Sequence, residues 1–372
     1  MSIIIEFMKI CGLVVEYNPF HNGHIHHINE AKRLTNADCL IAIMSGNFCQ
    51  RGDISIIDKF EKTRIALEHG INLVIELPFV YTIQNASIFG TKSVEILKLF
   101  NIDYLVFGSE TNNIDNLKMI SETTINIDYL KEIMKTGISY PKAYSLLQGT
   151  LYPNDILAIS YLKALKGTDI KPISIQRTNE YHSEELSKIA SATAIRKAIK
   201  ENRDYHEATP LNIADPHFNE ELYPYLRNIL NLSDREDLIK YHLVSEGIEK
   251  AFKDSAFKYD KYDDFINSLV NRRYTKARIQ RICINILANI KTNEIKELED
   301  DIYAYVLGFD SKGQELLHLI NNEDGKIVSN FKKIPSEHRK LEWKSDLLYA
   351  SLLKEEERKE FLQKVLRGPI RL

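Results

Sequence analysis

Two histidines that flank a glycine are the first residues in the chain whose types and spacing suggest chemistry. Residues 16–24 read EYNPFHNGH, so His21, Gly23 and His24 form a His-x-Gly-His motif. The motif lies between an apolar, strand-like run at residues 9–15 and a helical pattern that begins at Gly23. A helix N-terminus offers free N–H groups and a positive dipole end, and glycine lets the backbone approach a ligand closely. The motif therefore predicts a polyphosphate site in which both imidazoles stabilise charge that develops on an α-phosphate.

This histidine-rich stretch also has two simpler interpretations. His21, His24, His26 and His27 have spacing found in some metal sites, but no cysteine or carboxylate nearby completes an obvious ligand set. None of the four cysteines forms a CxxC pair either, so we predict no metal site built by the protein. At least one of His26 and His27 is expected to be an ordinary surface residue of the helix.

A second candidate segment, SATAIR at residues 191–196, lies far along the chain. Ser191 or Thr193 is a natural N-cap for the helical pattern that follows, so simple capping explains the segment structurally. The functional interpretation adds that the hydroxyls, the N–H groups and Arg196 converge on the β- and γ-phosphates. An early His-x-Gly-His and a late (S/T)-x-(S/T)-x-x-R together are similar to the paired signature of the nucleotidyltransferase superfamily.

The elements that must position these motifs alternate between strands and helices up to about residue 200. Apolar runs predict strands at 9–15, 38–44, 72–77, 103–107 and 172–176. Helical patterns lie between them at 23–34, 58–68, 86–100 and 154–165, with Asp58 as an N-cap and Glu61 as its capping-box partner. This alternation predicts a doubly wound α/β domain with a parallel sheet, whose ligands bind beyond the carboxyl ends of the strands.

Length and composition set the limits of the whole molecule. The chain has 372 residues, of which 44% are hydrophobic and 27% charged, so it is neither disordered nor collagen-like and is long enough for two domains. After about residue 200 the apolar residues recur at helical spacing, apart from a short strand candidate at 302–309. We therefore predict an α/β nucleotidyltransferase domain at 8–200 followed by a mostly helical domain at 201–372.

The expected environment is the cytoplasm. No run approaches the roughly 20 apolar residues of a membrane helix, so no membrane partner is expected, and the sparse cysteines suit a reducing compartment. Residues 1–7 lack a basic region and a cleavage-like site, so they do not predict a signal peptide. Met8 directly precedes the first strand and is the expected start. The formal charge of −3 means that any nucleic-acid contact requires a local basic patch.

Longer stretches of the chain resemble the tRNA(Met) cytidine acetate ligase family of the HIGH-type nucleotidyltransferase superfamily. The matching stretches are GLVVEYNPFHNGH (12–24), MSGNFCQRGD (44–53), LVIELPF (73–79), VFGSE (106–110), PNDILAISYLKAL (153–165), SATAIR (191–196), RRYTKARIQR (272–281) and VLGFDSKG (306–313). The resemblance implies an enzyme that activates acetate with ATP, giving acetyl-adenylate and pyrophosphate. Such an enzyme then transfers the acetyl group to N4 of the wobble cytidine of elongator tRNA(Met).

The ATP site that follows combines the resemblance with the second motif, and Mg²⁺ is expected to accompany the nucleotide. Its predicted members are Val14, Val15, Glu16, Tyr17, Asn18, Pro19, Phe20, His21, Asn22, Gly23, His24, Ile25, His26, His27, Gly108, Asn154, Arg177, Ser191, Thr193 and Arg196. Three of them also have ordinary structural interpretations. Gly108 is compatible with a plain turn, Asn154 with a helix cap, and Arg177 with a surface ion pair.

Several charged residues near the same edge of the sheet have open roles. Gln50, Arg51 and Asp53 follow the second strand, so they are expected to face the cleft or to form a solvated loop. Arg51 is a candidate to hold acetate or a phosphate, and Lys59 to neutralise pyrophosphate. Glu16 either orients a histidine, holds Mg²⁺ or makes a structural hydrogen bond.

A basic segment in the second half predicts an RNA-binding surface. It contains Arg272, Arg273, Lys276, Arg278 and Arg281, with no acidic residue among them. Tyr274 is interleaved and is a candidate to stack on a base. The simpler interpretation is a solvated helix face. A more speculative extension adds Lys364, Arg367 and Arg371 at the C-terminus.

Two other functions compete with the acetate ligase. One is a nucleotidyltransferase that acts on a small-molecule cosubstrate and releases pyrophosphate, which has no use for the basic helix around Arg278. The other is an RNA-binding protein that keeps nucleotide binding without catalysis, and the intact His21 and His24 argue against it. Pyrophosphate release with and without acetate distinguishes the three.

Overall fold

The structure is a computed structural model that describes residues 8–123, 127–139, 142–143, 146–147, 151–177, 190–298, 300–320 and 322–372. Residues 1–7, about which the sequence predicts a start at Met8, lie outside the described residues. Within the described part, no helix is both long and apolar enough to cross a membrane.

A parallel sheet with the order β5-β4-β1-β2-β3 forms the centre of the molecule. Its strands are β1 (Ile10–Val15), β2 (Cys39–Ser45), β3 (Leu73–Leu77), β4 (Tyr104–Ser109) and β5 (Lys171–Gln176). Every residue of β2 and β3 is buried, as expected for strands that are covered on both faces. The five strands and the doubly wound α/β class predicted from the sequence are confirmed.

The helices of this part cover the two faces of the sheet. They are α1 (Asn22–Thr35), α2 (Lys59–Glu68), α3 (Phe79–Thr82), α4 (Ala86–Lys98), α5 (Ile114–Glu122), α6 (Ile127–Lys135), α7 (Pro153–Ala164) and α8 (Ala192–Lys200). Asp58 caps α2 as predicted, because its Oδ1 accepts hydrogen bonds from the N–H groups of Phe60 and Glu61. The predicted capping-box role of Glu61 is wrong, since its carboxylate accepts from Arg64 Nε at 3.1 Å.

A helical region with its own apolar core follows. It comprises α9 (Asn219–Leu232), α10 (Arg235–Leu238), α11 (Ile248–Lys258), α12 (Tyr262–Leu269), α13 (Lys276–Leu287) and α14 (Thr292–Lys296). A separate cluster of buried side chains holds α9 and α11 to α13 together, with Phe252 and Phe265 at its centre. The prediction of a mostly helical second part is confirmed for these residues.

The last part of the chain returns to the sheet. Strand β6 (Ala304–Phe309) pairs antiparallel with β3, and β7 (Ile327–Val328) and β8 (Ile370–Arg371) pair with β6. The helices that accompany them are α15 (Ser311–Leu319), α16 (Ser336–Ala350) and α17 (Glu355–Arg367). The predicted domain boundary at residue 200 therefore needs correction. The sheet continues beyond the helical region, because the fully buried strand β6 pairs with β3.

A buried ion cluster ties this returning segment to the sheet. The Nζ of Lys59 lies 3.0 Å from Glu76 Oε2 and 2.8 Å from Asp346 Oδ1, and its side chain is 1% exposed. Burial opposes the ammonium charge, but Asp346 and Glu76 outweigh it and raise the pKa of Lys59. The prediction that Lys59 neutralises pyrophosphate is wrong. Its ammonium group is buried in ion pairs that join α2 to β3 and α16.

Replacing Lys59 by Met is expected to lower the free energy of unfolding by about 3–5 kcal/mol, because two carboxylates then lose their buried counterion. Urea denaturation measures the loss. The matched control is Lys340→Met, since Lys340 is 65% exposed and pairs with Glu337 in solvent, where a pair contributes up to about 1 kcal/mol. Equal and small losses in both variants would contradict the structural role of the cluster.

Candidate functional site

The candidate site lies where the winding of the sheet reverses. Strand β1 has β2 on one side and β4 on the other, and the carboxyl ends of all three point to the same edge. In open α/β sheets, ligands bind in the crevice at such a switch point. The His-x-Gly-His loop follows β1, and Gly108 and Arg177 lie at the ends of β4 and β5. The structure thus brings these separately predicted residues to one edge.

The two motif histidines have defined orientations. Gly23 N donates to His21 Nδ1 at 3.0 Å, and His21 N donates to His24 Nδ1 at 3.2 Å. The rings stack with their centroids 3.7 Å apart. Because each Nδ1 accepts a hydrogen bond from the backbone, each neutral ring carries its proton on Nε2. The loop therefore holds a pair of Nε2–H donors in fixed positions.

Both imidazoles are neutral at physiological pH. Burial, followed by the charges of Arg177 and Arg196, lowers the pKa of His21 to about 3. Burial and neighbouring His21 hold the pKa of His24 well below its usual value, and burial lowers the pKa of His27 to about 4. The pair can thus donate hydrogen bonds without the cost of burying two extra positive charges.

Arg177 supplies the positive charge that the imidazoles lack. Its backbone N–H donates to Ser109 O at 3.0 Å, which places the residue directly beyond β5 and beside β4. A Cβ on Gly108 would lie 3.3 Å from Arg177 Cγ, so the glycine leaves room for the arginine to cross the strand end. The buried Nε of Arg177 has no hydrogen-bond partner among the described residues. A buried donor of this kind, next to His21, fits an anionic ligand such as phosphate.

The second motif meets the first through Arg196. Its Nη1 donates to the carbonyl oxygen of Asn18 at 2.6 Å, and its Nη2 donates to Thr193 Oγ1 at 3.3 Å. Ser191 Oγ accepts from Ala194 N and so caps α8. The two segments lie together as the hypothesis of one shared triphosphate site requires, but the Arg196 guanidinium is engaged in holding the first loop.

A second set of hydrogen bonds that holds the His-x-Gly-His loop was not predicted from the sequence. Thr209 Oγ1 donates to Phe20 O at 2.6 Å, and Asn22 N donates to Ala208 O at 3.0 Å. Asn22 Nδ2 also donates to Glu207 O. Residues 207–209 carry no motif, and only their backbone groups and one hydroxyl take part, so the sequence offers no signal for them.

Several predicted ATP-binding side chains instead hold the edge of the site together. Asn18 Nδ2 donates to Ile54 O, and Asn18 Oδ1 accepts from Ile56 N. Asn154 Nδ2 donates to Glu110 Oε1 at 2.6 Å, and the Glu110 carboxylate also accepts from the first N–H groups of α7. The capping interpretation of Asn154 is wrong, because Asn154 lies inside α7 and its side chain binds Glu110. Glu110, which the sequence did not single out, accepts from the first N–H groups of the helix instead.

The remaining members of the predicted stretch form the walls of the loop. Tyr17 and Phe20 are buried, and both pack against His24, with ring centroids 4.7 and 5.7 Å away. Val14 and Ile25 are partly buried in the core, Val15 is buried, and the peptide bond before Pro19 is cis. His26 is exposed, as expected for one of the two helix histidines, whereas His27 Nε2 is buried without a partner among the described residues.

Glu16 has a structural hydrogen bond rather than a histidine partner. Its Oε1 accepts from Gln50 N at 2.6 Å and from Ser45 Oγ at 3.3 Å. Burial raises the pKa of Glu16. Lys62 Nζ, fully buried, donates to the carbonyl oxygens of Glu16, Ser45 and Gly46, which joins the ends of β1 and β2. Lys62 was missed because one lysine in an amphipathic helix pattern looks like any other.

The described residues do not form a group of three or more His, Cys, Asp or Glu suited to a metal ion. Glu16, the one carboxylate considered for Mg²⁺, already accepts two hydrogen bonds. Of the three roles considered for Glu16, the contacts therefore support the structural one.

Comparisons with known proteins agree with this geometry. Residues 8–364 match the family model of the HIGH nucleotidyltransferases. The tRNA(Met) cytidine acetate ligases of Oceanobacillus iheyensis and Fusobacterium nucleatum are each 36% identical to the chain. These matches cover 98% and 95% of the chain, and 100% and 93% of the relatives. The chain belongs to the tRNA(Met) cytidine acetate ligase family. The family predicted from the sequence is confirmed.

Solved structures place the fold in the same family. Crystal structures of Thermotoga maritima TmcAL match with TM-scores of 0.89 for an apo form and 0.86 for a form bound with alpha-thio ATP. Both are 30% identical, and each match covers 98% of the chain and 100% of the relative. The HIGH nucleotidyltransferase fold and the helical region after it are thereby confirmed for this ligase-family chain.

The basic segment divides into an exposed part and a buried residue. Arg272, Arg273 and Lys276 are exposed, and Arg278 is partly exposed. Glu246 lies 3.6 Å from Arg273 and 4.0 Å from Arg278. The prediction that Arg281 belongs to this surface needs correction, because its side chain is buried against the loop after β2. Helix geometry explains the difference: Arg281 lies on the face of α13 that packs inward.

Tyr274 is also not exposed for stacking on a base. Its ring is buried and covered by the Arg278 guanidinium at 4.6 Å, and its hydroxyl donates to Ser245 O. The C-terminal basic residues Lys364, Arg367 and Arg371 lie on α17 and β8, which belong to the β6 side of the sheet. Lys364 pairs with Glu360 there.

Replacing His24 by Ala is expected to lower the rate of adenylate formation at least about 100-fold, because one preorganised donor to the phosphate is lost. Acetate-dependent exchange of labelled pyrophosphate into ATP measures this step. His206→Ala is the matched control, since His206 is exposed beside Asp204. A His24→Ala protein that is folded and exchanges at the wild-type rate would contradict the assignment.

Acid is expected to destabilise the protein from about pH 6.5 downward. Unfolding restores an ordinary pKa of about 6.5 to His21 and His27, so between that value and their folded pKa values, about 3 and about 4, the unfolded state binds more protons. Stability is therefore complete above about pH 6.5 and at pH 5 is reduced by roughly 2 kcal/mol per histidine. Thermal unfolding at several pH values tests this, and a His27→Gln variant with the same pH slope as wild type would contradict it.

Proposed function

We propose that the protein uses ATP to activate acetate as acetyl-adenylate and transfers the acetyl group to N4 of the wobble cytidine of elongator tRNA(Met). The observation that carries the proposal is the pair of neutral, oriented imidazoles at the β1–β4 switch point, with Arg177 beside them. Membership in a family whose curated relatives have the name tRNA(Met) cytidine acetate ligase supplies the reaction and its substrates.

In the first step, an acetate oxygen attacks the α-phosphorus of ATP. A new P–O bond forms, the bond to the bridging α–β oxygen breaks, and pyrophosphate leaves with that electron pair. The Nε2–H groups of His21 and His24 donate to phosphate oxygens, whose charge shifts as the bond breaks, and the Arg177 guanidinium neutralises part of it. Since the site acts by position and charge, it needs no nucleophile from the protein.

In the second step, the cytidine N4 attacks the carbonyl carbon of acetyl-adenylate. The C–N bond forms, the C–O bond to the adenylate phosphate breaks, AMP leaves, and N4 releases one proton to solvent. The adenylate must stay in the crevice until the base arrives. The hydrogen bonds from Arg196 to Asn18 O and from Thr209 to Phe20 O support this, because they keep the histidine donors aligned through both steps.

The exposed arginines before and within α13 are the proposed docking surface for the tRNA backbone. Arg272, Arg273 and Lys276 are exposed and Arg278 is partly exposed, and Glu246 lies within 4.0 Å of Arg273 and Arg278. Helix α13 also reaches the loop after β2, because Arg281 on its inner face donates to Gln50 O. A basic surface that leads to the adenylate site suits an RNA whose base must reach that site.

Mg²⁺ is proposed to arrive with ATP, held by the phosphate oxygens. Mg²⁺ bound through phosphates keeps several waters and needs few protein ligands. The engaged state of Glu16 supports this arrangement, since its carboxylate is committed to Gln50 and Ser45.

Exchange of labelled pyrophosphate into ATP tests the proposal. We expect exchange that requires acetate and does not require RNA, followed by N4-acetylcytidine in tRNA(Met) when the RNA is added. Exchange that requires a different cosubstrate would favour the small-molecule nucleotidyltransferase. Tight tRNA binding without any exchange would favour an RNA-binding protein that has lost catalysis.

Reversing the charge of both Arg272 and Arg273 to Glu is expected to spare acetate-dependent exchange and to raise the KM for tRNA at least tenfold. Each lost phosphate contact also reduces the salt dependence of RNA binding. The control reverses two exposed lysines elsewhere, Lys332→Glu with Lys333→Glu. Equal loss of exchange and of tRNA acetylation in the arginine variant would contradict a separate docking surface.

A further inference from the structure

We propose that Arg281 is a positioning residue of the adenylation site, although it belongs to the helix that carries the RNA-facing arginines. Its role is to fix the loop after β2 against the end of β1. This inference rests on the proposed function, since it concerns the acetate-activating step. It assigns to α13 two tasks on opposite faces, RNA docking outside and support of the ATP edge inside.

The contacts of Arg281 point inward. Its side chain is 9% exposed, and Nη1 donates to the backbone oxygen of Gln50 at 3.1 Å. Arg278, three residues earlier, is instead bonded to Ser245 Oγ and covers Tyr274 at the surface. A guanidinium that is nine-tenths buried cannot take a phosphate of an RNA backbone without moving. The side chain therefore acts on the loop.

Gln50 is the point at which this contact reaches the catalytic edge. Its backbone oxygen accepts from Arg281, its backbone N–H donates to Glu16 Oε1 at 2.6 Å, and its side-chain Nε2 donates to Gln84 O at 2.6 Å. Glu16 is the first residue after β1 and lies five residues before His21. The peptide groups of Gln50 thus link α13 to the strand that carries the His-x-Gly-His loop.

The loop and α13 are in close contact. Gly52 has a φ of 81°, and a Cβ there would lie 2.6 Å from Arg281 N. Gln280 Nε2 donates to Asp53 Oδ1 at 2.8 Å, and Asn219 Nδ2 of α9 donates to Gly52 O at 2.9 Å. The QRGD sequence that follows β2 therefore packs between the sheet and the helical region and is bonded to both.

The length of the arginine side chain matters at this position. Only a long side chain spans from α13 to the Gln50 carbonyl, and its Nε is left buried without a partner among the described residues. Burying a cation with one hydrogen bond is costly, and Arg278 and Arg51 repel it further. A destabilising arrangement of this kind is typical of groups kept for function rather than for stability.

The consequence concerns Arg51, the next residue of the loop. It follows Gln50 directly, and Gln50 contacts both Glu16 and Arg281. With Gln50 fixed on three sides, the backbone that carries Arg51 is fixed as well. Loss of the Arg281 contact therefore frees both residues at the edge where acetate and ATP react.

The test uses Arg281→Met in the full-length protein, with the acetate-dependent exchange of labelled pyrophosphate into ATP measured without RNA. We expect at least a tenfold fall in kcat, with an unchanged tRNA dissociation constant. Arg281→Lys, which keeps a donor near Gln50 O, is expected to recover part of the rate. Arg227→Met is the matched control, because Arg227 Nε also donates to a backbone oxygen in the helical region, that of Ala256, away from the loop. It is expected to keep the wild-type exchange rate.

Each outcome decides the question. Wild-type exchange in Arg281→Met with weaker tRNA binding would overturn the proposal and make Arg281 an RNA contact. Equal loss of exchange in the Arg281 and Arg227 variants would show general destabilisation and overturn it as well. If Arg281→Met does not fold, Gln280→Ala decides: lower exchange with unchanged tRNA binding supports the proposal, and unchanged exchange rejects it. Failure of the proposed function is distinct, since wild type itself would then show no acetate-dependent exchange.

Discussion

The fixed orientation of two neutral imidazoles, His21 buried and His24 half-buried, is the constraint on which the rest of the site depends. In a neutral ring whose proton is on Nε2, Nδ1 is a hydrogen-bond acceptor. Backbone N–H groups of the loop donate to Nδ1 of both His21 and His24. The backbone can do so only while the loop keeps its shape. Arg196 and Thr209 secure that shape by bonding the carbonyl oxygens of Asn18 and Phe20. Several residues that look like ligands in the sequence therefore maintain the geometry of the two histidines that we propose bind the phosphates.

Buried charges elsewhere have the same purpose of joining elements. Lys62 binds three carbonyl oxygens at the ends of β1 and β2, and Lys59 joins the sheet to α16. Arg281 joins the helical region to the loop after β2. Each is a cation placed where strands end, and at the switch-point edge the positive potential also suits a polyphosphate.

Local sequence patterns predicted the sheet well, because buried parallel strands are continuous apolar runs that need no distant partner to be recognised. The His-x-Gly-His site was predictable for a related reason, since the motif, its glycine and its helix are contiguous. What the patterns could not give is the inward or outward direction of charged side chains. Lys59, Lys62 and Arg281 resemble surface residues in sequence, and only tertiary packing buries them. Glu246 and Thr209 likewise meet their partners only in the folded protein. Strand β6 pairs with β3 although the whole helical region separates them in sequence.

The most direct test of the central claim is a crystal structure of the protein with a nonhydrolysable ATP analogue. The account predicts that the α-phosphate oxygens lie within hydrogen-bond distance of the Nε2 atoms of His21 and His24. It also predicts that Arg177 contacts the same triphosphate. A nucleotide bound at another edge of the sheet, or a triphosphate directed away from the two imidazoles, would contradict it.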